Sequence, residues 1–291
     1  MIRSKVVEKV VERTGDLPAM PELVAEVLRL TDDPLTDMSE VSEVLERDPA
    51  LTAKILRISN SPYYGMKQYV GTLKLALVIL GVREVRNIVL GVSVFDALKD
   101  DRVGGFGVKE YLNHSFLVGG LSKALAIRLR SGVQGEAFVA GLLHDMGKLI
   151  MIKQLRDDYV KILKATGGSG AILCVSEIAK FGFSHSHAAA ALAIRWNFPE
   201  TLADSLLYHH PAEGMSLSQA KDPQLAAVVR IANLCAHDEF SGEDGAPFLA
   251  GEDTEAWEIL DATPDPLPPA TRYTALAGLR QELKDSSPPS F

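Results

Sequence analysis

Long hydrophobic runs are missing from this chain of 291 residues. No stretch approaches the ~18 uncharged apolar residues of a membrane-spanning helix. The N-terminus, Met1–Val10, lacks the apolar core and cleavage site of a secretion signal. Cysteine is scarce: Cys174 and Cys235 are the two present, far apart and with no Cys-x-x-Cys pair. Reduced thiols are therefore expected over a disulfide. Basic charge is outweighed as well, with a formal net charge of -8 and a pI near 5.4. That balance disfavours a general nucleic-acid or acidic-membrane surface. Strand signals are nearly absent, with no clean period-two alternation of useful length. The expectation is a soluble, cytoplasmic, all-α protein.

Helical periodicity fills most of what remains. Leu23, Val24, Val27 and Leu28 form one apolar face after Pro21, which is tolerated in a first helical turn. Asp48-Pro49 reads as an N-cap and first helical residue ahead of Leu51, Ile55, Leu56 and Ile58. Asn60-Ser61-Pro62 marks a turn, Thr72 a cap and Gly81 a helix stop. The helix after Gly81 carries Arg83, Glu84, Arg86 and Asn87 in a helix-turn-helix-like arrangement. Its apolar continuation Ile88–Phe95 favours burial over DNA contact. Further helices are expected near 82–98, 108–130, 135–151, 154–165, 171–180, 185–195, 199–208 and 222–237. Gly104–Gly107 is the natural internal boundary. From Asp238 to Pro269 the composition turns to Gly, Asp, Glu and Pro, a linker with one short helix around Trp257. A last amphipathic helix carries Tyr273, Leu276, Ala277 and Arg280, either docked on the body or serving as an interaction handle. The final Ser-Ser-Pro-Pro-Ser is expected to be disordered.

Within the helical pattern, His144-Asp145 in Ala-Gly-Leu-Leu-His-Asp-Met-Gly-Lys-Leu is costly to bury. A buried carboxylate needs a cation, a donor or a metal. Imidazole with carboxylate suits Zn, Mn or Fe. His114, His185, His187, His209 and His210 are further candidates. The residues alone leave a second reading of each open. His144-Asp145 could be a hydrogen-bonded pair in a core, and His209-His210 a helix end favoured by the dipole. His187 reads as surface or packing, and Trp196, Tyr63 and Tyr64 as core. Lys148 lies four residues after His144, on the same face, and is either solvated or able to hold a phosphate.

Several ordered blocks together resemble the HDOD family, the HD-related output domains. They are Leu-Pro-Ala-Met-Pro-Glu-Leu (17–23), Asp-Pro-Ala-Leu (48–51), Lys-Ile-Leu-Arg-Ile-Ser-Asn-Ser (54–61), Tyr-Tyr-Gly (63–65) and Ala-Leu-Val-Ile-Leu-Gly (76–81). Asn-His-Ser (113–115), Gly-Leu-Leu-His-Asp-Met-Gly-Lys-Leu (141–149), Phe-Gly-Phe-Ser-His (181–185), Trp196–Pro199 and His209-His210-Pro211 continue the series. The resemblance covers about 14–236. It implies an all-helical fold in which an N-terminal bundle packs on a bundle related to HD-type metal phosphohydrolases. The corresponding division is 1–107, 108–238 and a linker with C-terminal helix, 239–291.

Carried over by resemblance, the ligands of such a site are His114, His144, Asp145, His185, His209 and His210. The position of the last acid holds Asn233, whose neutral carbonyl replaces a carboxylate poorly. Asp238 is five residues on, roughly 140° around a helix, and does not substitute. Ser184 and Pro211 stand where acids are frequent, Leu149–Ile152 replaces a Gly-Tyr-Pro motif, and no bridging acid is evident. The resemblance thus implies a bacterial signalling or regulatory module acting through contacts with signalling proteins, with catalysis absent or very weak. The alternative is a metal-dependent phosphohydrolase acting on a nucleotide or other phosphoester, possible substrates including cyclic nucleotides. Asp145 and Lys148 would then be its catalytic groups, with Fe, Mn, Ni or Zn as cofactor.

Overall fold

Capping residues read from the sequence start and stop helices as expected. The Asp48 carboxylate accepts from the Ala50 and Leu51 amides, each at 3.0 Å. The Thr72 hydroxyl accepts from Leu75 N–H at 3.1 Å. Gly81 ends its helix with φ of 86°, a conformation that costs glycine little. A computed structural model describes residues 2–15, 17–33, 35–61, 64, 66, 68–98, 107–167, 170–211, 215–237 and 253–285. Among these the protein is all-helical, without strands. Expectations placed on Pro62, Tyr63, Gly65, Gly104–Phe106, the linker over 238–252 and Ser286–Ser290 lie outside them. No described helix is long and apolar enough to cross a membrane.

The chain forms two units, one of Met1–Pro18 with Leu98–Gln281, the other of Ala19–Ala97 with the C-terminal end from Glu282. This differs from a division at 107 and 238: the first boundary falls at Leu98, and two further segments change sides. Helix α1 (Ile2–Thr14) packs on the helix His185–Arg195 and so joins the later part of the chain. The segment after 252 is also folded into that part.

The Ala19–Ala97 unit holds α2 (Glu22–Asp32), α3 (Met38–Glu46), α4 (Pro49–Ser59), α5 (Leu73–Leu80) and most of α6 (Val82–Leu98). Val24, Val27, Val41, Leu45, Ile55, Ile58, Leu73 and Leu77 are buried in its core. The Asn60 side chain staples the connection between α4 and α5, donating to Leu56 and Val70 carbonyls and accepting from Val70 N–H at 2.7–2.8 Å. Lys54 pairs with Asp96 at 2.5 Å, tying α4 to α6.

The larger unit continues with α7 (Val108–Arg128), α8 (Gln134–Leu143), α9 (Met146–Ala165), α10 (Gly170–Phe181), α11 (His185–Arg195), α12 (Glu200–Leu207) and α13 (Pro223–Ala236). Helix α7 packs along α8 and α13, and α9 packs on α11. Glycine permits both close pairings. A Cβ on Gly141 would fall 2.7 Å from Val118 O and 2.8 Å from Gly119 Cα, so α8 and α7 touch backbone to backbone. A Cβ on Gly147 would coincide with the His185 carbonyl oxygen, which brings the start of α9 against the start of α11. Trp196, expected in the core, is buried and donates its indole N–H to Pro18 O at 2.8 Å.

The short helix expected around Trp257 is α14 (Thr254–Leu260), and the last amphipathic helix is α15 (Pro269–Asp285). Helix α14 packs on α13. Trp257 is buried under Arg272, whose guanidinium carbon sits 4.2 Å from the indole centroid. Arg272 in turn pairs with Asp261 at 2.6 Å. This part of the tail is therefore docked structure.

Candidate metal centre

The helix expected over 135–151 is in fact two. Helix α8 ends at Leu143, His144 is its C-cap, Asp145 is the N-cap of α9, and α9 begins at Met146. The junction turns both side chains into the protein, and both residues are almost completely buried. Helix α9 continues past the expected break near 152, with its backbone interrupted at Arg156, where φ is 45°.

Four other elements deliver the remaining groups. His114 lies on α7, His185 opens α11, His209 and His210 follow α12, and Asn233 lies on α13. They converge on Asp145 from across about 120 residues of sequence. Asp145 Oδ2 lies 3.3 Å from His144 Nε2 and 3.7 Å from His114 Nε2. Its Oδ1 lies 3.2 Å from His185 Nε2 and 3.7 Å from His209 Nε2. Each carboxylate oxygen thus faces a different pair of imidazoles. The His210 ring is 4.2 Å from that of His209 and 5.1 Å from that of His185. Donor atoms fall into two compact sets that share Asp145: His114–His144–Asp145, and Asp145–His185–His209–His210. Asn233 Oδ1 meets His114 Nε2 at 3.2 Å. The sequence reading found no bridging acid, yet the geometry gives Asp145 itself that position.

The tautomers are set by outward contacts. His144 Nδ1–H donates to Gly141 O at 2.7 Å, and His209 Nδ1–H donates to Leu206 O at 2.7 Å. Each ring therefore turns the lone pair of Nε2 inward, the arrangement common to metal-ligating histidines. His144 Nε2, Asp145 Oδ1, His210 Nε2 and Asn233 Nδ2 are buried without a hydrogen-bond partner among the described residues. Orphaned buried acceptors are costly. His144 Nε2 belongs to one set and His210 Nε2 to the other, so a divalent cation in each set would satisfy these acceptors, and the donor types fit a transition metal. The Asn233 amide does not contribute charge to that fit.

Burial and neighbouring charges set the protonation of the cluster. Burial holds His114, His209 and His210 below the usual histidine range, His209 at about 3, so all three are neutral ligands-in-waiting. A charged helix-end pair at His209-His210 is not what the fold contains. Burial opposes charge on Asp145, but His144 and Lys148 beside it hold its carboxyl well below the usual value. Lys148 is buried and its Nζ lies 2.7 Å from Asp145 Oδ2. It is thus not solvated, and it pairs with Asp145 as a counter-ion. His187 is half-buried and closes a capping box with Ser184 at the start of α11.

Two residues were missed by sequence reasoning. Glu177 on α10 is buried, and its Oε2 lies 2.7 Å from His185 Nδ1 and accepts the His185 backbone N–H at 2.9 Å. Burial opposes charge on His185, but Glu177, with Cys174 and Asp145, overcomes it and raises the imidazole pKa well above the ordinary value. The signal was an acid in the apolar stripe Leu173, Cys174, Phe181. His237, the C-cap of α13, places its ring 5.1 Å from that of His114. Cys174 Sγ is 4.0 Å from His185 Nδ1, and both cysteines are buried without a disulfide.

Comparison with known proteins places this arrangement. A curated relative from Treponema pallidum (strain Nichols), without an assigned role, is 24% identical over 214 residues, 71% of this chain. The chain spans 40% of that relative's length. Among solved structures, an HDOD domain protein of unknown function from Geobacter sulfurreducens superposes with a TM-score of 0.75 at 23% identity, covering 98% of both chains. A candidate phosphohydrolase from Shewanella amazonensis SB2B superposes with a TM-score of 0.71 at 25% identity, covering 96% of this chain and 97% of its own. A candidate metal-dependent phosphohydrolase from the same organism has a TM-score of 0.60 at 16% identity, with 98% and 97% covered. The HDOD domain model matches residues 17–212, and the chain belongs to the HDOD family.

Proposed function

We propose that this protein is a regulatory HDOD module whose HD-like pocket holds a divalent transition metal, Fe, Mn, Ni or Zn, and which acts through contacts with signalling proteins rather than by turnover. The observation that carries the metal is the pair of inward lone pairs on His144 and His209, with the unpartnered Nε2 of His210, around one buried carboxylate. Two features favour binding over chemistry. Asn233 takes the place of an acid, so one carboxylate faces all the imidazoles of the two sets. Asp145, His144, His185 and His209 have side chains 0–2% exposed, and His114 reaches 21%. A phosphoester would need a route to ligands that are covered.

The second reading, a metal-dependent phosphohydrolase, is favoured by Asp145, whose two oxygens face separate histidine sets as in a two-metal site. There a bound cation would polarise the phosphoryl oxygens and lower the pKa of a water. The protein's own groups would orient the ions, with Lys148 sharing the charge of Asp145.

Metal content after purification without chelators, followed by turnover of an activated phosphodiester and of cyclic dinucleotides with added Mn, Fe or Ni, separates the readings. Near-stoichiometric metal without turnover supports the module. Turnover abolished by both His144→Ala and Asp145→Ala, with the fold intact, establishes the enzyme. Absence of both metal and turnover overturns the metal centre itself.

A further inference from the structure

Three histidines of the centre present Nε2 inward with Nδ1 held from outside, but their outer partners differ. His144 and His209 use backbone carbonyls, Gly141 O and Leu206 O. His185 uses a carboxylate, Glu177 Oε2, at 2.7 Å. The same oxygen accepts the His185 backbone N–H at 2.9 Å, so one group fixes both the ring and the first residue of α11. The other oxygen, Oε1, accepts the Tyr159 hydroxyl at 2.5 Å. Tyr159, Glu177 and His185 are all fully buried. Glu177 therefore has no solvent to turn toward, and its rotamer is set at both ends.

A carboxylate behind a ligating imidazole does two things that a carbonyl does less well. It fixes the tautomer, and it raises the basicity of the inward nitrogen. It also adds a negative charge one ring away from the cation. The two donor sets share Asp145 but differ in this respect. On the His114–His144 side the outer group is the neutral Gly141 carbonyl behind His144, and the Asn233 amide, also neutral, meets His114 at its inward Nε2, 3.2 Å away. On the His185 side it is Glu177.

We propose that Glu177 is a positioning residue that makes the Asp145–His185–His209–His210 set the tighter of the two, so that the first cation taken up goes there, with Tyr159 holding Glu177 in place. This rests on the metal centre proposed above and adds to it an order of filling and the residue that sets it.

The test is a titration of the full metal-free chain with Co(II), read by calorimetry and by the visible ligand-field bands, which report the donor set. Wild type is expected to show a tight first event with a nitrogen-rich spectrum. Glu177→Gln keeps the size of the side chain but offers an amide that can donate to Nδ1 and turn a protonated Nε2 inward. The first event is then expected to weaken roughly 10–100-fold, with a changed spectrum. Tyr159→Phe should weaken it in the same direction by less, and Glu177→Asp should recover part of the affinity. Unchanged affinity and spectrum in Glu177→Gln overturn the inference while leaving the metal centre intact. Should Glu177→Gln fail to fold, Tyr159→Phe decides: weakened first uptake supports the assignment and unchanged uptake overturns it. No Co(II) uptake by wild type defeats the metal centre itself, a result separate from either of these.

Discussion

The Lys148 ammonium sits 2.7 Å from Asp145 Oδ2, and both groups are buried. Lys148 thus lies on the oxygen that faces His114 and His144. A cation in that set would share Asp145 with a charge already in place. Removing one partner of a buried pair leaves the other uncompensated, which costs about 3–5 kcal/mol. Lys148→Met is therefore expected to lower the stability of the metal-free protein by about that amount. Added Mn(II) or Zn(II) should restore a part of it, since a ligand that binds the folded state stabilises it. Denaturant unfolding with and without the ion measures both. A stability loss that no cation relieves would count against a metal at Asp145.

Asn233→Asp restores charge at the end of α13, beside His114. Uptake of a second cation should strengthen by about tenfold or more, roughly 1.4 kcal/mol. Calorimetry on the variant reads this directly. If the neutral amide is what keeps the protein from turnover, the same variant should acquire phosphodiesterase activity where wild type shows none.

Gly147→Ala places a methyl onto the His185 carbonyl oxygen. Backbone is on both sides of the contact, so α9 and α11 must separate. Overpacking of this kind costs about 1–3 kcal/mol. His185 should leave its place beside Asp145 as the helices part. A lowered Tm together with loss of bound metal is the expected result. Gly135→Ala, at a site with open space around the glycine, serves as the control.

Acid should loosen the docked tail. Glu255 accepts from Leu217 N–H at 2.7 Å, Ser216 Oγ at 2.5 Å and Arg230 Nη1 at 3.1 Å. Burial opposes its charge, but Ser216, Leu217 and Arg230 outweigh it and lower the carboxyl below its ordinary 4.5. A lowered folded pKa means that the stabilisation is present above about pH 4.5 and is lost as pH falls through the folded value. Trp257 on the same helix is a local fluorescence probe. Its emission should shift to the red on acidification, and Glu255→Gln should remove that acid dependence. Arg230 also donates to the Tyr208 carbonyl at 2.9 Å, next to His209, so metal affinity should weaken over the same pH range.

Much of the fold was legible because its signals are local. Asp48, Thr72 and Gly81 act within one turn of where they stand, and the apolar stripes of α2 and α4 repeat within single helices. The convergence of His114, His185 and His209 came from the resemblance of ordered blocks, since nothing in their spacing brings residues so far apart together. What stayed hidden was of a different kind. The helix break at His144-Asp145 carries no proline, and its N-cap Asp145 makes no side-chain cap bond, so its sequence reads as continuous helix. Glu177 carries no motif, and its role exists only because α10 lies across the start of α11. Lys148 was assigned from its spacing to His144, whereas the partner that matters is Asp145, three residues before it. The stretch 238–269 reads as a linker with one short helix around Trp257, and its composition does not show that Trp257, Arg272 and Glu255 hold the described part in place through tertiary contacts.

Because the helix is broken there, His144 and Asp145 belong to different walls. His144 ends α8, which Gly141 clamps to α7, and Asp145 begins α9, which Gly147 clamps to α11. One peptide bond joins the two helix pairs, which α12 also bridges by packing on α11 and on α8. The spacing between the imidazole and the carboxylate therefore works as a gauge. A slide of one pair against the other by a fraction of an ångström would change the bite of the pocket along with the packing of α12.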